Sequence, residues 1–288
     1  MIYIQAMGGL GNQLFTWNIA HHLAVKYDCA VRVVFPKSGT DRECELFSLK
    51  KECSHEIEVI ESNILNKCFS LFDRIKIRSK FLGKFIEWIF KIRQSDLPSE
   101  IIEFGSAKPI FVRGYFQSSD FVNLNLPIYL DELLRITQNF AENSELFTPR
   151  LLNSQMMHIR RGDFVTNQET VGLLSINYFK NVAHETKDLV IFTDSESNDS
   201  VLTKNFPNSQ ILGADLVDTW TGFSLMSWAR ELFVSNSTYS WWAGVIAHAR
   251  GGKVIAPDPW TLTNVYGENY LKTEIFTLVP ARFEGKNN

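Results

Sequence analysis

Apolar and polar positions alternate early in the chain. Ile2 to Ala6 is a short β-prone run, and Met7-Gly8-Gly9-Leu10-Gly11-Asn12 reads as a turn. From Gln13 to Lys26 the apolar residues Leu14, Trp17, Ile19, Ala20, Leu23 and Ala24 recur at helical spacing. Ala30 to Phe35 is a second β-prone run, stopped by Pro36. Strand, helix and strand in this order predict a βαβ opening and a parallel sheet. Pro109 to Gly114 reads as another strand, with Tyr115-Phe116-Gln117 at its exit. The second half alternates more regularly. Strands are predicted at 155–160, 189–193, 210–212, 232–234 and 253–256, and helices at 176–186, 220–230 and 240–249. This spacing predicts a second doubly wound domain. The polar stretch Asn143 to Ser154, which contains Pro149, sets the expected boundary, so the expected domains are 1–150 and 151–288.

Composition narrows the class. A chain of 288 residues is long enough for two domains. Hydrophobic content of 45% and charged content of 21% are those of a soluble globular protein. A net charge of −3 gives no electrostatic footprint for nucleic acid. Cys29, Cys44, Cys53 and Cys68 form no C-x-x-C pair, which argues against a disulfide framework or a zinc site. No basic-then-apolar leader opens the sequence and no apolar run reaches membrane-span length, so a cytoplasmic protein is expected. One segment differs. From Lys67 to Arg93 the chain carries Lys67, Arg74, Lys76, Arg78, Lys80, Lys84, Lys91 and Arg93 against Asp73 and Glu87. Phe81, Phe85, Trp88 and Ile92 share one helical face there, so a basic amphipathic helical insertion is expected near 67–93. The preferred reading packs its apolar face on the domain, with the lysines solvated. The other lays it on an anionic membrane surface.

Three predicted strand ends carry chemistry. Met157-His158-Ile159-Arg160-Arg161-Gly162-Asp163-Phe164 runs from strand into clustered cations, a glycine and a carboxylate. Arg suits phosphate recognition because its planar fork binds two oxygens and keeps its charge. Taken alone, the octet also fits a surface salt-bridge cluster. Phe192-Thr193-Asp194 ends a strand with a carboxylate that can accept from a base edge or a ribose hydroxyl, or can cap the next helix. Ser235-Asn236-Ser237-Thr238 places hydroxyls where a helix begins, where they can cradle a diphosphate or merely cap. Trp241 and Trp242, just beyond, read as helix packing. At the N-terminus the turn at Gly8 to Gln13 is neither a P-loop nor G-x-G-x-x-G, and a tight βα turn would itself explain it. In a parallel sheet the three C-terminal-half motifs share one edge, and together they describe a nucleoside-diphosphate site. No Asp-x-Asp metal motif accompanies them, so no metal is expected and Arg160 and Arg161 supply the cations.

These residues resemble the bacterial α-1,2-fucosyltransferases, which share the His-x-Arg-Arg-x-Asp motif with other GDP-fucose enzymes. The resemblance rests on four ordered blocks: Gly8 to Phe15, His158 to Asp163, Phe192 to Asp194, and Ser235 to Trp242. The strand end Ile255-Ala256-Pro257 with Trp260 also fits. It implies an α/β, GT-B-like fold with two Rossmann-type domains facing a central cleft. The C-terminal domain would hold GDP-fucose, and the N-terminal domain would form the acceptor side. It further implies an inverting galactoside α-1,2-fucosyltransferase of surface-polysaccharide (O-antigen-like) synthesis, with no cofactor and no metal. Arg160, Arg161 and Asp163 would be catalytic. Gly9, Gly11, Asn12, Gln13, His158, Asp194, Ser237 and Thr238 would bind substrate, with Asp194 on the guanosine and Ser237 and Thr238 on phosphate. Asp163 is the candidate general base within the motif, and His21, His22 and carboxylates of the N-terminal half are others. The sequence departs from the family at Gly222, where an Asp is usual, and at Trp228-Ala229-Arg230-Glu231. Expected partners are GDP-fucose and an oligosaccharide acceptor, carried in one reading on a lipid at the inner membrane. Two alternatives stand beside this: a glycosyltransferase using another nucleotide sugar, and a non-catalytic nucleotide- or glycan-binding protein.

Overall fold

A computed structural model describes residues 1–37, 42–49, 57–69, 93–94, 110–162, 171–183, 188–263 and 271–285. Most of the basic segment expected at 67–93 lies outside the described residues, as does Asp163. The chain divides into two compact units, Met1–Glu132 and Leu133–Asn288.

The first unit contains β1 (Ile2–Gln5), α1 (Leu10–Tyr27), β2 (Val31–Phe35), β3 (Ile57–Glu61), β4 (Arg93–Gln94) and β5 (Ile110–Arg113). Its strands form a parallel sheet in the order β3-β2-β1-β5-β4. Ile2 and Ile4 are buried on one face of β1. On the other face Tyr3 stacks on Phe111, and Phe69 packs edge-on against Phe111. Helix α1 is enclosed along most of its length, from Leu10 to Ala24, and ends at Asp28 in the left-handed region (φ 44°). The chain runs outward from β1 to β2 and β3, passes to the opposite edge at β4, and steps inward to β5 beside β1. The carboxyl ends of β1 and β5 therefore lie side by side in the middle of the sheet, on the edge where ligands sit in open α/β sheets.

A long helix, α2 (Ser119–Glu142), spans the division between the units. The expected boundary at 143–154 falls after it, in the stretch that leads through α3 (Pro149–Asn153) into the second sheet. The second unit continues with β6 (Gln155–Ile159), α4 (Ile176–Val182), β7 (Leu189–Thr193), α5 (Ser200–Asn205) and β8 (Gln210–Leu212). It ends with α6 (Thr219–Met226), β9 (Glu231–Phe233), α7 (Thr238–Ala249), β10 (Lys253–Asp258) and β11 (Thr277–Pro280). All six strands are parallel, in the order β11-β10-β9-β6-β7-β8. The expected doubly wound α/β architecture, with a Rossmann-type sheet in each half, is the one observed.

Local chemistry sets the elements. Thr148, Ser175, Asp199 and Asp218 cap α3, α4, α5 and α6 through side-chain oxygens that accept backbone N–H bonds. Strand β6 is buried at all of its positions, as befits a central strand covered on both faces. Met157, Ile159, Ile191, Phe233 and Ile255 continue the core across the sheet, with Tyr178 and Phe179 of α4 packed upon them. Trp241 and Trp242 are core residues, and Trp241 Nε1 donates to Leu271 O at 2.9 Å. Strand order reverses between β6 and β9. The ends of these two strands carry His158 to Gly162 and Val234 to Ser237.

Candidate functional site

The second unit brings the expected C-terminal motifs to one sheet edge. His158 and Ile159 pair in register with Phe192 and Thr193, so Arg160 and Asp194 follow side by side at the ends of β6 and β7. On the other flank Met157 pairs with Phe233, which brings the Ser235–Ser237 turn beside His158. His158 Nδ1 and Ser235 Oγ share a hydrogen bond of 2.8 Å. The imidazole is buried and packs 5.4 Å from the Tyr239 ring. Burial first, and the neighbouring charge of Arg160 second, push its pKa down to about 3. His158 is therefore neutral at physiological pH and acts as a fixed hydrogen-bonding wall.

The turn after β9 is stiffened from within. Ser240 Oγ lies 3.3 Å from both Ser235 O and Ser237 O as a donor, and Ser237 N–H donates to Ser235 O at 2.8 Å. Ser237 holds the N-cap position of α7 in extended conformation, and its hydroxyl makes no cap bond. The first N–H groups of a twelve-residue helix thus open at the switch-point edge, a favourable place for an anion. Asn236 points elsewhere. Its buried amide donates to Val171 O (3.3 Å) and Gly172 O (2.9 Å), tying the turn to a neighbouring loop.

The two arginines differ. Arg160 Nε lies 3.1 Å from Asp194 Oδ2, with both side chains largely sheltered. Asp194 Oδ1 also accepts the backbone N–H groups of Arg161 (2.8 Å) and Gly162 (3.2 Å). Arg161 is held by Asp199 Oδ2 at 3.7 Å and Glu284 Oε1 at 3.4 Å. Its guanidinium sits between two carboxylates, where its charge is already balanced. Neither carboxylate was expected from the sequence, since residues 199 and 284 lie far from the motif along the chain.

In the first unit, Gly8 adopts φ +73°, and a Cβ there would lie 2.4 Å from Asn12 Nδ2. Only glycine permits this approach. Asn12 Oδ1 accepts from Gln117 Nε2 at 2.7 Å, which joins the turn after β1 to the segment after β5. In the sequence Gln117 is only the exit of a strand, and its contact with Asn12 shows only in three dimensions. Gly9 is the N-cap of α1, with open space where a Cβ would stand, and Gly11 is buried within the first turn of the helix. Gln13 is fully buried. Its Nε2 donates to Gly8 O (2.9 Å) and Glu43 O (2.8 Å), and its Oε1 accepts from Glu45 N–H (2.9 Å), so its amide shapes the turn from inside. His21 is buried 3.5 Å from Glu132, with its ring edge-on to Trp17, while His22 is only partly covered.

The profile of glycosyl transferase family 11 matches residues 1–273. The chain belongs to glycosyl transferase family 11. This bears out the resemblance to α-1,2-fucosyltransferases that the four motifs carried. An α-1,2-colitosyltransferase of Escherichia coli is 33% identical over 128 residues, covering 38% of this family 11 chain and 42% of that protein. The O-antigen biosynthesis glycosyltransferase WbnK of Escherichia coli is 24% identical over 166 residues, covering 52% of the chain and 55% of its own length. The chain thus spans about half the length of the curated relatives it matches. A solved glycosyl transferase of family 9 from Veillonella parvula is similar at 11% identity, with a TM-score of 0.48, over 97% of this chain and 85% of that one.

Within this family 11 chain the described residues group as two sets. His158, Arg160, Asp194, Ser237 and Thr238 converge at the edge of the second sheet. Gly9, Gly11, Asn12 and Gln13 belong to the first. No described helix is long and apolar enough to cross a membrane.

Proposed function

We propose that this protein is an inverting glycosyltransferase that moves L-fucose from GDP-β-L-fucose to the 2-hydroxyl of a galactose-type residue. The observation that carries this reading is that Arg160, at the end of β6, and the N-terminus of α7, after β9, lie on the same edge of one parallel sheet at the β6/β9 switch point. Two sources of positive charge stand there, where a diphosphate is expected to lie. As the glycosidic bond to fucose breaks, the sugar becomes oxocarbenium-like and negative charge grows on the β-phosphate. Arg160 acts on that charge, with the amides around Ser237 and Thr238 beside it. Such preorganised groups contribute about 3–4 kcal/mol each to barrier lowering. Cations fixed in the protein can fill the place of a divalent metal, so turnover is expected to persist in EDTA. Neutral His158 packs the nucleoside side without competing for the phosphate. Asp163 and carboxylates of the first unit remain the candidates for taking the acceptor proton. The Asn12–Gln117 pair, beyond the carboxyl ends of β1 and β5, is proposed as the acceptor side.

The relative named an α-1,2-colitosyltransferase favours a second reading, transfer of colitose in the same linkage. The relative named for O-antigen biosynthesis supports a surface-polysaccharide acceptor. The test is release of GDP from GDP-fucose in the presence of EDTA. Lactose, N-acetyllactosamine and galactosyl-β1,3-N-acetylgalactosamine would be compared as acceptors, with GDP-mannose, UDP-galactose and nucleotide-linked colitose as competing donors. Acceptor-dependent release from GDP-fucose supports the main reading. Preference for the colitose donor replaces it with the second. Tight binding without turnover of any donor would make the protein a binding module.

A further inference from the structure

Asp194 ends β7 one residue beyond the β6–β7 pairing, directly beside Arg160. Thr193 Oγ1 accepts the N–H of Ser195 at 3.2 Å, turning the chain so that the Asp194 side chain faces back across the sheet edge. One carboxylate then does three things. Its Oδ1 accepts the N–H groups of Arg161 and Gly162, and its Oδ2 pairs with Arg160 Nε. A Cβ on Gly162 would stand 2.2 Å from Oδ2, so the glycine of the motif is the residue that admits the carboxylate. Two backbone N–H groups thus share one oxygen of the carboxylate, and the other oxygen lies 3.1 Å from Arg160 Nε as an ion pair. Arg160 is held at Nε, on the inner edge of its guanidinium. The two Nη groups at the far end are the ones suited to gripping two phosphate oxygens.

From this geometry we infer that Asp194 is a positioning residue that aims Arg160 at the leaving phosphate, rather than a contact to guanosine. The inference rests on the donor reading above and deepens it. Pairing with Asp194 lowers the net charge Arg160 offers, so the gain is orientation. A misplacement of about 1 Å at such a group costs on the order of a hundredfold in rate. Asp194→Asn separates the tasks. The amide oxygen can still accept the two backbone N–H groups, but the side chain loses its negative charge and turns an NH2 toward the guanidinium, so the ion pair is gone.

The experiment measures turnover of GDP-fucose and binding of GDP, IDP and GMP to the full chain, for wild type and D194N. IDP lacks the 2-amino group of guanine, so it reports base contacts, and GMP lacks the β-phosphate. The expected result is a fall in kcat of about a hundredfold, with the KM for GDP-fucose changing far less. GDP and IDP binding should weaken by the same factor, and GMP binding should be unchanged. Gly162→Ala, which pushes the carboxylate aside, should give the same pattern, and the double variant should be no worse than D194N. Loss of the GDP-over-IDP preference in D194N would overturn the inference in favour of a base contact. Equal weakening of GDP and GMP would overturn it in favour of a purely structural role. Wild-type protein that binds none of the three nucleotides would instead overturn the donor reading.

Discussion

His158 Nδ1 lies 2.8 Å from Ser235 Oγ, and both residues are buried at the β6/β9 switch point. Burial and the charge of Arg160 lower the imidazole pKa from the ordinary 6.5 to about 3. Between these values the unfolded chain binds a proton that the folded protein refuses. The stability contribution is therefore complete above pH 6.5 and is lost as pH falls toward 3. At pH 5 the loss is about 2 kcal/mol relative to pH 7.5. Urea midpoints for wild type and His158→Gln at the two pH values measure it. The variant should show a slope with pH flatter by that amount, and identical slopes would mean that the histidine is not held neutral.

Arg160 and Arg161 are adjacent in sequence, but their surroundings give them different tasks. Arg160 pairs with Asp194, which also orders the loop after β6, whereas Arg161 is balanced between Asp199 and Glu284. Arg160→Ala should lower kcat by about two to three orders of magnitude with little change in melting temperature. Arg161→Ala should lower the melting temperature first, because it removes the cation that pairs with both Asp199 and Glu284. Turnover per folded molecule should fall less than for Arg160→Ala. Calorimetry beside steady-state kinetics on both variants checks this ordering.

Strands with strong β-branched runs and strand-to-helix turns were legible in the sequence. Leu189 to Thr193 was predicted residue for residue, and β1, β2, β6 and β10 were predicted to within one or two positions. Helix α2 was not foreseen, because Asn123, Asn125 and Pro127 break its helical signal, and tertiary packing overrides such local preference. Ile57–Glu61 and Thr277–Pro280 were also missed, since two charged residues interrupt the first and the second is a short edge strand. The meeting of His158, Arg160, Asp194 and Ser237 was legible because a parallel sheet gathers strand ends on one edge. Their division of labour was not. Whether an arginine faces a ligand or a carboxylate depends on residues such as Asp199 and Glu284, whose distance in sequence conceals the contact.

Arg250 ends α7 and, within the second unit, holds the part of α2 that follows Leu133. Its Nη2 donates to Leu134 O (2.8 Å) and Thr137 Oγ1 (2.9 Å), and its Nη1 to Ser227 O (3.2 Å) and Ser227 Oγ (2.5 Å). The guanidinium lies 4.3 Å from the Trp228 ring, and burial lowers its pKa to about 10. Arg250→Met keeps the apolar stem but leaves these acceptors without their donor. We expect a loss of roughly 3 kcal/mol in urea unfolding. Arg250→Lys retains the charge but cannot reproduce the fork, so it should fall between the two. A Lys variant as stable as wild type would show that charge alone suffices.

Asn236 supplies the most specific test of the turn that carries Ser237. Its amide NH2 donates to two backbone carbonyls of the 171–172 loop, where Gly172 adopts φ +82° with Phe283 and Leu262 crowding the place of a Cβ. That loop is itself fixed, since Leu262 N–H donates to Val171 O at 2.9 Å and Leu174 bridges Phe283. Replacing Asn236 with the similarly shaped Asp exchanges a donor for an ionised acceptor that faces carbonyl oxygens. Asn236→Asp should therefore destabilise the protein more than Asn236→Leu, for which about 1–3 kcal/mol is expected. Protonation gives the aspartyl side chain an O–H donor again, so its deficit relative to Leu should shrink as pH is lowered. Urea unfolding of both variants at pH 7 and pH 5 measures this. GDP affinity should fall in both, because the α7 N-terminus is anchored through this residue. A variant that lost stability but bound GDP as tightly as wild type would separate the clamp from the nucleotide site.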